Sequence, residues 1–182
     1  AFGQQHVHAV REAPPPGTLA VPDRVRAATD ADLERLAELD LVLPEHQAGA
    51  PVFSSGGIPT VEEALQEWRE TIRDPGYASF VAELDGEVAG SAVACSIELS
   101  SLHAGLARPD RAGFLGFAAV APAARGRGLG RALGEAVIAW SADNGFRSVV
   151  TDWRATNLLS SRTWPRLGFR PTFLRLHRIV GH

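Results

Sequence analysis

Apolar positions recur along the chain with two periods, and the switches between them mark out the elements. Val61, Leu65, Trp68 and Ile72 fall at three- and four-residue spacing behind the capping box Thr60-Val61-Glu62-Glu63. They predict a helix that Asp74-Pro75-Gly76 stops. From Tyr77 to Leu84 the alternation has period two. Asp85-Gly86 supplies a tight hairpin turn, and Glu87 to Ile97 continues as the partner strand. Leu129, Leu133, Ala136, Val137 and Trp140 mark one face of a strong amphipathic helix, which Asn144-Gly145 closes with a left-handed cap.

The remaining segments fit around these. Val25 to Ala28 predicts a strand, and Thr29 or Asp30 an N-cap for a helix carrying Leu33, Leu36 and Ala37. Pro44 to Gly57 and Ser100 to Asp110 read as loops. Gly113 to Val120 is an apolar strand ended by Pro122, and Phe146 to Trp153 is another strand. Asn157 to Arg162 is a short helix that Pro165 curtails, and Phe173 to Val180 is the last strand. This mixed order predicts an α+β sheet with helices on both faces, not a repetitive βαβ winding.

Residues 1–24 read as an N-terminal tail or linker, because Pro14-Pro15-Pro16-Gly17 cannot join a regular helix or an inner strand. That leaves 25–182 as the folded domain. Within the tail, His6 to Arg11 alternates weakly, as a short strand with both histidines on one face would. Phe2 to Arg11 parallels Phe169 to Arg178, which leaves open that the segment ends a preceding domain.

The chain's 182 residues suit one domain, and 45% hydrophobic with 21% charged residues is the composition of a folded protein. A net charge of -3 argues against a general nucleic-acid binder or a polybasic membrane-surface protein. All 18 basic residues are Arg. Without a Lys, Walker-type phosphate loops, Schiff-base chemistry and protein-kinase phosphotransfer are excluded. Cys95 is the single cysteine, so neither an internal disulfide nor a Cys-based zinc site can form, and its apolar setting predicts a core residue. The longest apolar stretch, Phe114 to Ala121, falls short of the roughly 20 residues that span a bilayer. With no signal pattern at the N-terminus, the expectation is a cytoplasmic protein with no metal and no membrane or nucleic-acid partner.

The chemistry concentrates in Val120-Ala121-Pro122-Ala123-Ala124-Arg125-Gly126-Arg127-Gly128-Leu129-Gly130-Arg131, which joins a buried strand to a long helix. First-turn N–H groups of a helix lack internal partners, and the dipole is positive there. Glycines let an anion approach, and Arg125, Arg127 and Arg131 add charge, so a pyrophosphate fits. A dinucleotide site is disfavoured. G-x-G-x-x-G fails in both registers, since Arg131 follows Gly128 by three and Leu133 follows Gly130 by three.

Arg125-Gly126-Arg127-Gly128-Leu129-Gly130 resembles the [Q/R]-x-x-G-x-[G/A] motif of the GNAT superfamily, the acyl-CoA-dependent N-acyltransferases. The resemblance runs from about Val25 to Val180. It includes the strand Gly116 to Val120 and the spacing of Asn157 from Gly168-Phe169. It implies a mixed, mostly antiparallel sheet whose central strands splay to admit the pantetheine arm. Ala118, Ala119 and Val120 would pair with the pantetheine amides, and Arg125 through Arg131 (with Gly126, Arg127, Gly128, Leu129 and Gly130) would hold the pyrophosphate. Asn157 joins the cofactor-binding set. One N–H between Phe117 and Ala119 would face the thioester carbonyl.

The resemblance implies acetyl transfer from acetyl-CoA to a primary amine by direct attack, which needs a base near the acceptor. No Asp or Glu lies on Gly113 to Val120, so the candidate bases are Asp152, Glu98 and His103, with Asp152 ranked first for its place at the mouth of the second splayed strand. The family's usual acid is a Tyr seven residues after the Asn, where this chain has Trp164. Indole donates a hydrogen bond but does not titrate. Ser160 and Ser161 lie near, and Tyr77, the one tyrosine, is expected on a distant strand. The alternative is a non-catalytic acyl-CoA-binding domain. The acceptor is a small molecule or a peptide, and a homodimer is left open.

Overall fold

The computed structural model describes residues 3–49, 57–101, 103, 105 and 108–178. Among these, seven strands form one sheet: β1 (Gly3–Glu12), β2 (Val25–Ala27), β3 (Tyr77–Leu84), β4 (Glu87–Ser96), β5 (Ala112–Val120), β6 (Ser148–Arg154) and β7 (Arg170–His177). Four helices accompany them: α1 (Leu33–Ala48), α2 (Val61–Arg73), α3 (Leu129–Asp143) and α4 (Leu158–Arg166). The strand order is β2-β3-β4-β5-β6-β1-β7. Only β5 and β6 run parallel. The α+β class is as the element order predicts, and the mostly antiparallel sheet is as the family resemblance implies.

Local chemistry accounts for the elements. Thr60 caps α2 reciprocally with Glu63, whose carboxylate accepts the Thr60 N–H at 2.7 Å. Asp85 and Gly86 take φ of 55° and 84°, the paired left-handed geometry that a two-residue hairpin requires. Helix α3 lies against β3 to β6 and buries Leu129, Leu133, Ala136 and Val137. Helices α1 and α2 cover the other face over β3 to β5, where Leu36, Trp68 and Val81 form a second core. Cys95 is buried, and burial pushes its thiol up to about 11, so it is an inert core residue. No helix of the described residues is long and apolar enough to cross a membrane.

The N-terminal segment departs from the sequence reading. Residues 3–12 are not a tail: β1 lies inside the sheet, antiparallel to both β6 and β7. Ala9 is fully buried, and the Ala13 N–H donates to the Arg147 carbonyl. Pro14 to Gly17 therefore follow an inner strand instead of tethering a loose end. Of its two histidines, His6 lines a cavity and His8 is buried against His103. The two parallel segments noted in the sequence pair with each other, Val7 opposite Leu174. Phe2 of the first lies outside the described residues.

Both proline-based boundaries also move. Helix α1 runs through Pro44 to Ala48, and α4 runs through Pro165 to Arg166. Each ring removes one helical hydrogen bond, near enough to the C-terminal end for the helix to continue. The loop expected from Pro44 thus starts later, and residues 50–56 of it lie outside the description, as do residues 179–180 of the last predicted strand.

Candidate active site

β5 and β6 pair only from Ala112 opposite Ser148 to Leu115 opposite Thr151. Beyond that β5 stays with β4 as far as Val120 opposite Gly90. The parting coincides with Gly116, which the β4–β5 register skips: Val93 faces Phe117 and Ala94 faces Leu115. A Cβ on Gly116 would meet the Phe114 ring at 3.0 Å. The β6-facing edge of residues 116–120 is thereby left outside any ladder, the opening that an extended amide-bearing arm can enter.

At the end of β5 the chain makes one short helical turn over Pro122–Ala124 and then swings through Gly126 (φ 79°) and Gly128 (φ 82°) into α3. A Cβ at Gly126 or Gly128 would meet nothing within 4 Å. The turn is therefore open above its backbone, and the positive φ values are what require glycine. Leu129 is buried and anchors the helix, and with Gly130 and Arg131 it lines a groove of 390 Å³. Ala118 to Val120, Arg125 and Asn157 line the same groove. So does Arg166, which the sequence reading did not single out and which only the extension of α4 through Pro165 brings there. Arg127 does not line it: its guanidinium stands 3.9 Å from Asp85, and its carbonyl accepts from Arg24. Asn157 has a structural task as well, its Oδ1 capping α4 by accepting the Ser160 N–H at 3.1 Å.

A second cavity of 340 Å³ adjoins the groove, and Leu43, Ala118, Asn157, Ser160 and Trp164 line both. Its far wall carries Asp152 of β6, His6 of β1 and two arginines, Arg154 and Arg175. Asp152 is about one-tenth exposed, and burial pushes its carboxyl up to about 6, against the pull of Arg175 and Arg154. Burial, then Arg154 and Arg175, lowers His6 to about 4. At neutral pH the pair is a carboxylate beside a neutral imidazole.

The other candidate bases are not brought in. Glu98 is exposed on a short turn after β4, and its backbone N–H bonds to Ser96 Oγ. His103 is fully buried, with Nδ1 at 2.8 Å from Ser100 Oγ and its ring edge-on to His8 and Phe114. Neither lines the cavity. Trp164 is buried at the junction of the two spaces, and Ser161 Oγ bonds locally to the Leu158 carbonyl. Tyr77 stands on β3, away from both. Besides Arg166, sequence reasoning missed Arg154, Arg175 and, closest to Asp152, His6. Its signal was the period-two polar face of a segment set aside as a tail.

The parallel strands part beside the open glycine turn, and the groove at that turn runs on into the second cavity. The model of the acetyltransferase (GNAT) family matches residues 41–169. Aminoglycoside N(6')-acetyltransferase type 1 of Stenotrophomonas maltophilia is 30% identical over 149 residues, 81% of this chain and 86% of that one. The aminoglycoside N-acetyltransferase AAC(6')-Iy in complex with CoA superposes with a TM-score of 0.63 at 23% identity, covering 87% of this chain and 91% of that one. A GCN5-related N-acetyltransferase from Sphaerobacter thermophilus gives 0.61 at 18% identity, covering 97% of this chain but 51% of that one. The chain belongs to the GNAT acetyltransferase family. It is an acyl-CoA-dependent N-acetyltransferase, with acetyl-CoA as donor substrate and an amine as acceptor.

Proposed function

We propose that the chain acetylates the primary amine of a small molecule by direct attack on acetyl-CoA, with Asp152 as general base. The observation that carries this reading is the Asp152 carboxylate on the wall of the cavity that joins the glycine-turn groove. The pantetheine arm lies along residues 116–120, whose edge no strand occupies, and the pyrophosphate rests on the N–H groups that open α3, beside Arg125 and Arg131. Arg166 offers a further cation at the same groove.

An ammonium of pKa near 10.4 must lose a proton before it attacks, about 4.6 kcal/mol at pH 7. Asp152, with a carboxyl raised to about 6, is ionised at that pH yet more basic than an exposed carboxylate. The proton passes from the ammonium to Asp152, the nitrogen lone pair adds to the thioester carbon, and a backbone N–H of residues 117–119 receives the developing oxyanion. When the carbon–sulfur bond breaks the electron pair leaves on sulfur. A thiol near pKa 8.5 leaves tolerably as thiolate, so Trp164 in the acid's position does not stop the reaction. The adduct's nitrogen gives up a second proton as the amide forms; the proton on Asp152 goes to the thiolate and the other to solvent.

Thiol release from acetyl-CoA across a panel of primary amines tests the reading, with Asp152→Asn alongside. Release that depends on the amine and falls at least a hundredfold in the variant is expected. Equal rates in the two proteins would remove Asp152 from the role. The homodimer is a separate proposal: β7 is an edge strand that shows Phe173, Leu174 and Leu176 to solvent. Sedimentation equilibrium tests it, and a monomer at micromolar concentration excludes it.

A further inference from the structure

The acceptor cavity carries a charge pattern that narrows the amine. Strand register creates it. His6 stands opposite Arg154 on β6 and opposite Arg175 on β7, and two residues along the ladder His8 stands opposite Asp152. Residues two apart on a strand share a face, so Asp152 and Arg154 project to the same side as His6. Asp152, Arg154, His6 and Arg175 all line the one cavity.

Among the described lining residues Asp152 is the sole acid, and Arg154 and Arg175 are the permanent cations. No Asp or Glu occurs at residues 1–2, 50–56, 102, 104, 106–107 or 179–182. His6 adds no positive charge at neutral pH, held low by burial and by the same two guanidiniums. The cavity therefore offers two fixed cations against one carboxylate. A guanidinium carries five N–H donors in a planar fork, a geometry that matches the two oxygens of a carboxylate.

We propose that the acceptor is a zwitterion: a primary amine whose ammonium meets Asp152 and whose carboxylate, on the same small molecule, is received by Arg154 and Arg175. This rests on the reading of the second cavity as the acceptor site. Two of the relatives named above are aminoglycoside acetyltransferases, and an aminoglycoside carries several amines. A second or third ammonium in this cavity would face guanidiniums. A carboxylate there meets guanidiniums of opposite charge, and a planar, two-pronged contact fixes the amine's orientation.

The test is thiol release from acetyl-CoA with matched acceptors: ω-amino acids with one to five methylenes, the corresponding amides, propylamine and kanamycin. The expected result is that the best amino acid exceeds its own amide by tenfold or more in kcat/KM, through KM, and that kanamycin is the poorest acceptor. Arg175→Gln should bring the acid-to-amide ratio close to one, and Arg175→Lys should restore part of it. The ratio cancels any general loss of activity in a variant. Kanamycin or the amides matching the amino acids in kcat/KM would overturn the proposal, as would an acid-to-amide ratio that survives Arg175→Gln. If calorimetry shows acetyl-CoA bound while no amine, propylamine included, releases thiol, the reading of acetyl transfer beneath the proposal fails with it.

Discussion

His6 Nε2 stands 3.7 Å from Asp152 Oδ2, across the ladder that joins β1 to β6. The separation is too long for a hydrogen bond, and the groups have exchanged their usual order of basicity: the carboxyl is raised to about 6 and the imidazole lowered to about 4. The carboxylate is thus the first of the two to take a proton, and the neutral imidazole beside it leaves its negative charge intact.

That order predicts the pH profile. With an amine of pKa near 10, kcat/KM should rise through pH 6 as Asp152 ionises and then level off until the amine itself titrates. In Asp152→Asn the limb near pH 6 should vanish. A limb unchanged in the variant would assign it to another group.

The same shift has a stability consequence of opposite sign to the common case. A carboxyl whose folded pKa exceeds its unfolded value binds protons more tightly when folded, so the native state loses stability as pH rises from about 4 to above 6. Two units correspond to about 3 kcal/mol at most. Asp152→Asn should therefore raise Tm at pH 8 while lowering activity, and calorimetric melting at pH 8 and pH 4.5 should show the gain only at the higher pH.

Gly128 separates charge from backbone strain. Its φ of 82° disfavours any side chain, by about 1–2 kcal/mol, yet the space above it is open. Gly128→Ala should keep measurable affinity for CoA, whereas Gly128→Glu should abolish binding by placing a carboxylate where the phosphates belong. Isothermal titration of the two variants checks this, and equal affinities would remove the turn from the pyrophosphate site.

Gly134 marks where α3 meets α4. A Cβ there would stand 2.5 Å from Leu167 Cδ1 and 3.0 Å from Trp164 Cζ3. Gly134→Ala should destabilise by about 1–3 kcal/mol through overpacking, despite the better helix propensity of alanine. Because Trp164 lines both cavities, the variant should also weaken acetyl-CoA binding. Urea unfolding and the KM for acetyl-CoA report the two effects.

Removing residues 1–12 distinguishes an inner strand from a tail. The deletion would leave β6 and β7 without the partner between them and expose Val149 and Phe169, both now buried. Loss of cooperative thermal unfolding is the expected outcome. A truncated chain with unchanged Tm would show that β1 contributes nothing to the fold.

Most of the fold was legible because it rests on local signals. The capping box at Thr60, the Asp85-Gly86 hairpin and the apolar face from Leu129 to Trp140 each declare an element within a dozen residues. The glycine turn was legible for the same reason. What stayed hidden was non-local. The place of β1 depends on pairing with strands far along the sequence, and its polar face looked like solvent exposure until the register set His6 beside Asp152. Glu98 and His103 lie outside the cavity because residue type says nothing about direction: one faces water, and the other is sealed against His8 and Phe114. Pro44 and Pro165 misled because a proline near a helix's end removes one hydrogen bond without stopping the helix.

The cross-strand line Arg154–His6–Arg175 draws its members from three strands, and the first of them is synthesised long before the last. The glycine-turn side of the groove can assemble from neighbouring elements, since β5, the turn and α3 follow one another directly. The wall of the second cavity cannot, because it requires the most distant loop closure among the described strands. Folding should thus shape the turn first and complete the second cavity at the final docking of β1 between β6 and β7.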